Sequence, residues 1–259
     1  MLFDTHAHYD DERFDEDRDA LLASMPENNV GLILNPGCDA ETSRKAVGYA
    51  NRYPFVYAAV GLHPENIEDG WTQTLDEIRT LAQSEPRVRA IGEIGLDYYW
   101  EKEERARARQ QVVFARQMEL ARELKLPVIV HDRDAHADCM EITRRYPDVI
   151  GVYHCYAGHI EMARELLERG YFLSFTGVIT FKNAKKAIEV IREVPIERLM
   201  VETDSPYMAP VPFRGKRCEP VYSREVARAI AAAKGLDFDE VLLATARNTV
   251  KLFRLPIAL

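Results

Sequence analysis

Histidines and carboxylates recur in this sequence directly after short apolar runs. His6 and His8 are separated by one residue. In an extended segment, residues i and i+2 point to the same face, so both imidazoles can reach one metal ion. Further candidates follow later apolar runs: His63, Glu93, His131, His154 and Asp204. All of these side chains offer nitrogen or oxygen donors and none offers a thiolate, which leaves Zn, Mn, Fe, Co, Ni and Mg as candidate metals.

The number of candidate ligands indicates more than one ion. One catalytic zinc typically takes three protein ligands and keeps a position open for water. The predicted ligand set is larger and fits two divalent cations, with one carboxylate as a bridge. Spacing alone leaves open whether Glu93 or Asp204 is that bridge. The six predicted ligands are His6, His8, Glu93, His131, His154 and Asp204.

Eight short β-branched or aromatic runs alternate with helical patterns, and they are the elements that must position these side chains. Strands alternating with helices predict an α/β fold with a parallel sheet. Eight such units favour a (β/α)8 TIM barrel, in which chemistry occurs at the carboxyl ends of the strands. The predicted strands are Leu2–Thr5, Gly31–Asn35, Phe55–Gly61, Val88–Gly92, Pro127–Val130, Ile150–Tyr153, Tyr171–Phe175 and Leu199–Glu202.

An open doubly wound sheet is the alternative fold. Such a sheet usually carries a glycine-rich phosphate loop after its first strand, whereas Thr5-His6-Ala7-His8 stands there in this sequence. A length of 259 residues permits two domains but also suits one barrel. No linker interrupts the pattern, so residues 1–259 are predicted to form a single domain. A final helix over Asp239–Leu252 is predicted to pack outside the barrel.

Composition limits the function classes. The formal net charge of −8 disfavours a broad basic nucleic-acid-binding surface but permits a small site. The four cysteines form no C-x-x-C pair, which indicates reduced thiols. No apolar run approaches the roughly 18 to 20 residues needed to cross a bilayer, so no membrane association is expected. Because no secretory signal is apparent, a cytoplasmic location is predicted.

Six motifs together resemble the TatD family of metal-dependent hydrolases and deoxyribonucleases, within the amidohydrolase-like superfamily. They occur in collinear order and are specific for the family, but much less specific for substrate. The motifs are Asp-Thr-His-Ala-His at 4–8, Gly-Leu-His-Pro at 61–64, Gly-Glu-Ile-Gly-Leu-Asp-Tyr-Tyr at 92–99, His-Asp-Arg-Asp-Ala at 131–135, His-Cys-Tyr-Ala-Gly at 154–158 and Glu-Thr-Asp-Ser-Pro-Tyr at 202–207.

The resemblance implies a TIM barrel of the metallo-dependent hydrolase type that binds two divalent cations per subunit. The first would bind His6, His8, Glu93 and Asp204, and the second would bind Glu93, His131 and His154, so that Glu93 is the bridge. The resemblance also assigns catalytic roles to three residues. Asp204 would be the base that orients the attacking water, Glu93 the bridging carboxylate, and His63 an active-site residue outside the metal ligands.

Three positions depart from the family pattern. Asp132 stands where family members often carry serine, Ala157 stands where serine is frequent, and Cys218 stands where asparagine is usual. None of these differences removes a predicted ligand. An additional carboxylate at Asp132 could weaken the binding of an anionic substrate near the site.

The leading functional hypothesis is a deoxyribonuclease that removes nucleotides in the 3'-5' direction, with single-stranded ends favoured because a barrel mouth is recessed. The alternative is hydrolysis of a carboxylic ester or amide, such as deacylation of D-aminoacyl-tRNA. A metal-binding protein without turnover is the third hypothesis. Arginines and aromatic side chains near the mouth are candidate substrate contacts because they can bind phosphates and stack on bases. These candidates are Arg133, Tyr98 and Arg214.

Overall fold

Eight strands form one sheet in a computed structural model that describes residues 1–259. The strands follow one another in chain order around the sheet, and all seven neighbouring pairs are parallel. The predicted (β/α)8 barrel is therefore confirmed. The strands are β1 Leu2–Asp4, β2 Val30–Pro36, β3 Val56–Val60, β4 Val88–Asp97, β5 Val128–Arg133, β6 Gly151–Tyr153, β7 Phe172–Phe175 and β8 Leu199–Val201.

The first and last strands are joined by backbone hydrogen bonds that continue beyond both strands. The Thr5 amide donates to the Val201 carbonyl at 3.2 Å, and the Asp204 amide donates to the His6 carbonyl at 2.8 Å. The His8 amide donates to the Ser205 carbonyl at 2.7 Å. These bonds close the barrel, and they hold the segments after β1 and β8 side by side.

One α-helix follows each strand, and a ninth completes the chain. The extra helix begins after Asp237, whose side chain accepts a hydrogen bond from the Asp239 amide and so caps the helix. The predicted C-terminal helix is therefore confirmed, with one further residue at each end. The helices are α1 Arg18–Ser24, α2 Ala40–Arg52, α3 Trp71–Ser84, α4 Glu104–Leu124, α5 His136–Arg144, α6 Ile160–Glu168, α7 Lys185–Glu193, α8 Ser223–Lys234 and α9 Phe238–Phe253.

The buried apolar side chains form two layers, because both faces of the parallel strands are covered. The larger layer lies between the strands and the surrounding helices. The smaller layer contains side chains from all eight strands, with the end of α9 packed against them through Leu252 and Phe253. Each large side chain buried in this way stabilises the fold by about 1.5–3 kcal/mol. The barrel is thus filled with side chains, and the polar positions stand at its carboxyl end.

None of the nine helices combines the length and the apolar character that crossing a membrane requires.

Candidate metal centre

The structure brings together seven side chains that the sequence singled out. They come from the carboxyl ends of six of the eight strands, as expected for a barrel of this kind. All seven side chains are largely buried, and their polar atoms lie close to one another. The seven are His6 and His8 after β1, His63 after β3, Glu93 within β4, His131 within β5, His154 after β6 and Asp204 after β8.

A first cluster forms around one oxygen of Glu93. The Nε2 atom of His6 lies 3.1 Å from Glu93 Oε2 and 3.1 Å from His8 Nε2. His8 Nε2 lies 3.5 Å from the same carboxylate oxygen. Asp204 Oδ1 lies 3.8 Å from His6 Nε2 and 3.5 Å from His8 Nε2. Four donors from three strand ends therefore face one point.

A second cluster forms around the other oxygen of Glu93. Glu93 Oε1 lies 2.7 Å from His131 Nδ1 and 2.8 Å from His154 Nε2. The two imidazole nitrogens are 3.2 Å apart. His63 Nε2 lies slightly further from the carboxylate oxygen, at 3.5 Å. Each oxygen of Glu93 thus belongs to a different set of imidazoles, which is the arrangement that a bridging carboxylate requires.

A β-bulge in β4 explains how Glu93 comes to point into the mouth. Ile91 pairs with Val128 and Ile94 pairs with Val130, so β4 uses three steps where β5 uses two. The extra residue lies in the Gly92–Glu93 segment. Bulges bend a strand and change the direction of a side chain, and they are frequent beside active sites. The strand also continues to Asp97, five residues beyond the end predicted at Gly92.

Gly95 allows β4 to continue beside β5 after the bulge. Its φ of +147° is one that side-chain-bearing residues rarely adopt, and a Cβ atom there would lie 1.9 Å from the His131 carbonyl oxygen. Only glycine permits this approach. The close contact fixes the backbone of His131 relative to that of Glu93.

A buried acidic side chain, Asp4, connects the segments after the first and last strands, which carry His6, His8 and Asp204 of the first cluster. Asp4 accepts a hydrogen bond from the Thr203 amide at 2.9 Å and another from the Thr203 hydroxyl. It also accepts from the His6 amide at 3.3 Å. The next residue after Thr203 is Asp204, which has a φ of +57°, an uncommon value for a residue other than glycine. Asp4 therefore holds His6 and Asp204 in register, although it does not reach the cluster itself.

The charges in the centre favour ionised carboxylates. Burial by itself would raise the pKa of Glu93, but His154 and His6 hold it well below its usual value. Asp204 is similar, since its hydrogen bond with His8 lowers its pKa against the effect of burial. Burial would lower the pKa of His131, yet hydrogen bonds with Asp97 and Glu93 raise it to about 9. The carboxylates thus attract positive charge into the clusters.

The donor set fits divalent metal ions. His6 Nε2 and His8 Nε2 are 3.1 Å apart, and each also faces Glu93 Oε2, so electron-pair donors point at one another. Only histidines form ion pairs with Glu93 and Asp204, and no lysine or arginine does. Buried donors of this kind need positive charge between them, and imidazole with carboxylate is a common ligand set for divalent transition metals.

Two further carboxylates contact the histidines of the second cluster, and neither was predicted from the sequence as a site residue. Asp97 Oδ2 lies 3.0 Å from His131 Nε2, and Glu202 Oε1 lies 3.5 Å from His154 Nδ1. Burial opposes the ionisation of Asp97, but the hydrogen bond with His131 lowers its pKa to about 2. Carboxylates on the distal nitrogen of a metal-binding histidine fix its orientation and its tautomer.

We expect an Asp97→Asn substitution to weaken divalent metal binding by about 10- to 100-fold, because the amide cannot hold His131 as the carboxylate does. Titration of the metal against a chelating dye measures the effect. Asp148→Asn, on an exposed loop before β6, is the matched control and should bind metal as the natural protein does. Equal affinities in the two variants would show that Asp97 does not position His131.

His63 has a geometry suited to donating a hydrogen bond. Its Nδ1 atom accepts from the Glu65 amide at 3.2 Å and caps a short 3-10 helix. Because Nδ1 accepts, the ring proton is assigned to Nε2, the atom that faces Glu93. The imidazole can therefore offer an N–H to an anionic oxygen at the mouth.

The three predicted substrate contacts occupy different environments. The Tyr98 hydroxyl donates to Asp138 at 2.7 Å and accepts from Gln111 at 2.8 Å, so it is bound to α5 and α4 rather than facing the mouth. This placement differs from the expectation for Tyr98. Arg133 is the last residue of β5, and its guanidinium lies over the Tyr99 ring. Arg214 is on the loop after β8, and its guanidinium lies over the Phe181 ring.

Comparison with known proteins identifies the family. The model that describes the family "TatD related DNase" matches residues 3–254. The chain belongs to this family. The metal-dependent hydrolase YabD of Bacillus subtilis, itself uncharacterized, is 42% identical over 257 residues, covering 98% of this chain and 100% of YabD. A 3'-5' ssDNA/RNA exonuclease TatD of Cronobacter sakazakii is 32% identical over 261 residues, covering 97% of each chain.

Solved structures agree with this assignment. The crystal structure of YjjV, a TatD homologue from Escherichia coli, superposes with a TM-score of 0.90 at 31% identity and covers 98% of both chains. A TatD family hydrolase from Entamoeba histolytica has the same fold, with a TM-score of 0.84 at 24% identity over 97% of each chain. The protein is thus a metal-dependent hydrolase of the TatD family, as its motifs predicted.

Proposed function

We propose that this TatD-family hydrolase cleaves phosphodiester bonds at the 3' end of single-stranded DNA with two divalent cations. The observation that carries the proposal is the position of Glu93, whose two oxygens face two separate sets of donors. His6, His8 and Asp204 would complete the first site, and His131 and His154 the second. The single-stranded preference is supported by the barrel mouth, in which these residues are buried.

Two bound cations would activate water and neutralise the charge that develops on the phosphoryl oxygens. Within the chain, Asp204 accepts the proton of the attacking water at its carboxylate, since its lowered pKa leaves it ionised at neutral pH. His63 donates from Nε2 to a phosphoryl oxygen and stabilises the negative charge there. Asp97 and Glu202 hold the imidazoles of His131 and His154 in place.

The function is tested with the complete chain loaded separately with Mg²⁺, Mn²⁺, Zn²⁺ or Co²⁺. The substrates are single-stranded DNA labelled at either end, the matching duplex and D-aminoacyl-tRNA. We expect stepwise shortening of 5'-labelled single strands, slower shortening of the duplex, and loss of both reactions in EDTA. Deacylation of the tRNA without shortening of DNA would reject the proposal and favour ester hydrolysis.

A further inference from the structure

An exposed aromatic pair stands on the rim of the mouth, directly after β4. Tyr99 is 45% exposed and Trp100 is 63% exposed, and both follow the last residue of that strand. Their rings meet edge to face, with centroids 4.8 Å apart. Large aromatic side chains are costly to leave in water, so two adjacent ones on a catalytic rim indicate a contact surface.

An unpaired cation accompanies the aromatic pair. The guanidinium of Arg133 lies 4.0 Å from the centre of the Tyr99 ring and 5.5 Å from that of Trp100. Arg133 follows His131 by two residues in β5, so both side chains point to the mouth, roughly 7 Å apart along the strand. Asp132, between them, turns outward and contacts His136 of α5 at 2.9 Å. No carboxylate forms an ion pair with Arg133, which leaves its charge available.

One carboxylate ties this aromatic pair to the metal centre. Asp97 Oδ1 accepts hydrogen bonds from the amides of Tyr99 and Trp100, both at 2.9 Å. The other oxygen of Asp97 is the one that faces His131 at 3.0 Å. The turn that carries the aromatic rings is therefore held at a fixed position relative to the catalytic residues.

Other cation–aromatic pairs on the rim lack either the unpaired cation or the exposed ring. Arg13 lies over Tyr207 at 4.1 Å, but Asp11 binds its guanidinium through both carboxylate oxygens at 2.8 and 2.9 Å. Arg214 is unpaired, yet Phe181 beneath it is only partly exposed. Only the β4–β5 side of the rim offers an open aromatic face beside an unpaired guanidinium.

We propose that Tyr99, Trp100 and Arg133 form a subsite for one nucleotide of single-stranded DNA next to the hydrolysed phosphodiester bond. Trp100 stacks on the base, and Arg133 binds the adjoining phosphate, with Tyr99 supporting both side chains. Stacking on an aromatic side chain is tolerant of base identity, so the subsite binds all four nucleotides. This assignment rests on the proposed DNA hydrolysis and identifies where the strand lies relative to the centre.

The two tryptophans of the chain, Trp71 and Trp100, make a direct test possible. In Trp71→Phe, only Trp100 contributes tryptophan fluorescence. The metal-loaded variant is titrated with a phosphorothioate-linked thymidine octamer, which resists hydrolysis, and with an abasic octamer of the same backbone. We expect the thymidine octamer to quench Trp100 with saturation and the abasic octamer to bind at least about 5-fold more weakly. Equal quenching by both octamers would reject base stacking.

Variants separate the base contact from the phosphate contact, with binding followed by anisotropy of labelled octamers. Trp100→Leu should weaken binding of the thymidine octamer by about 5- to 150-fold and leave that of the abasic octamer unchanged. Arg133→Gln should weaken both. Arg52→Gln is the matched control, because Arg52, the last residue of α2, also lies over a tyrosine, Tyr53, at the opposite end of the barrel. A loss in Trp100→Leu that is equal for both octamers would overturn the proposal.

Cleavage of unmodified DNA by the natural protein shows whether a negative result concerns only the proposed subsite or also the proposed function. If the natural protein shortens DNA while Trp100→Leu binds both octamers normally, the subsite is wrong and the function stands. If no metal supports DNA cleavage and neither octamer quenches Trp100, both proposals are rejected together.

Discussion

Replacing Glu93 with glutamine should lower the proposed DNA hydrolysis by on the order of a thousandfold or more and should reduce metal binding at both clusters. Each carboxylate oxygen faces a different set of imidazoles, so one substitution affects both sets. A metal pair supplies several kcal/mol of transition-state stabilisation, and a loss of about 4 kcal/mol corresponds to about a thousandfold in rate. Metal content by mass spectrometry and initial rates on labelled DNA measure the two effects.

Glu123→Gln is the matched control for this substitution. Glu123 lies on the outer face of α4, where it pairs with Arg79 at 2.7 Å, and surface pairs of this kind contribute little to stability. The control should retain metal and activity. A Glu93→Gln protein that keeps its metal content and its rate would show that this carboxylate is not a bridge.

Asp204→Asn should lower kcat by about 100- to 10,000-fold, while most of the metal is retained. Three donors of the first cluster remain in this variant, namely His6, His8 and Glu93. The amide cannot accept the proton that the carboxylate takes from water, and general-base catalysis typically contributes a factor of this size. Parallel measurement of kcat and metal content separates the two roles of Asp204.

Metal content and kcat together, read beside those of Glu93→Gln, show whether Asp204 acts as a ligand, as a base or as both. If Asp204→Asn loses metal and activity in the same proportion, the carboxylate acts only as a ligand and the assignment as a base is wrong. If kcat stays within a factor of two of the natural protein, Asp204 has neither role. Asp239→Asn in the first turn of α9 controls for the loss of one negative charge.

Much of the architecture was predictable from local pattern. The apolar runs located all eight strands, because strands buried on both faces consist of continuous β-branched and aliphatic residues. The barrel rule then placed the histidines together, since parallel strands end at a common rim. The bulge at Gly92–Glu93 was not predictable in the same way, because it depends on the register between β4 and β5.

Two residues that contact the histidines of the metal centre, Glu202 and Asp97, were not predicted from the local sequence pattern. Glu202 precedes Asp204 by two residues, the same spacing as His6 and His8, and that signal could have drawn attention to it. Asp97 lay beyond the predicted end of β4, so only the longer strand brings it to His131.

The environment of the residues near the predicted substrate contacts depends on long-range packing. Among the adjacent aromatic residues, Tyr98 is held by α4 and α5, whereas Trp100 is open to solvent. The loop after β8 that carries Arg214 also carries Arg217, whose charge is neutralised by long-range packing. Arg217 is paired with Asp17 at 2.6 Å, across 200 residues of chain.

The bond between Asp4 and Thr203 has a consequence for how the protein matures. These residues are 199 positions apart, and the first cluster needs His6 from one side of the bond and Asp204 from the other. Contacts so distant in sequence are slow to form, because the loop-closure entropy opposes them before they stabilise the fold. During synthesis, a ribosome must release β8 before the first cluster can exist. A metal ion could therefore meet all four donors of that cluster only once the barrel is complete.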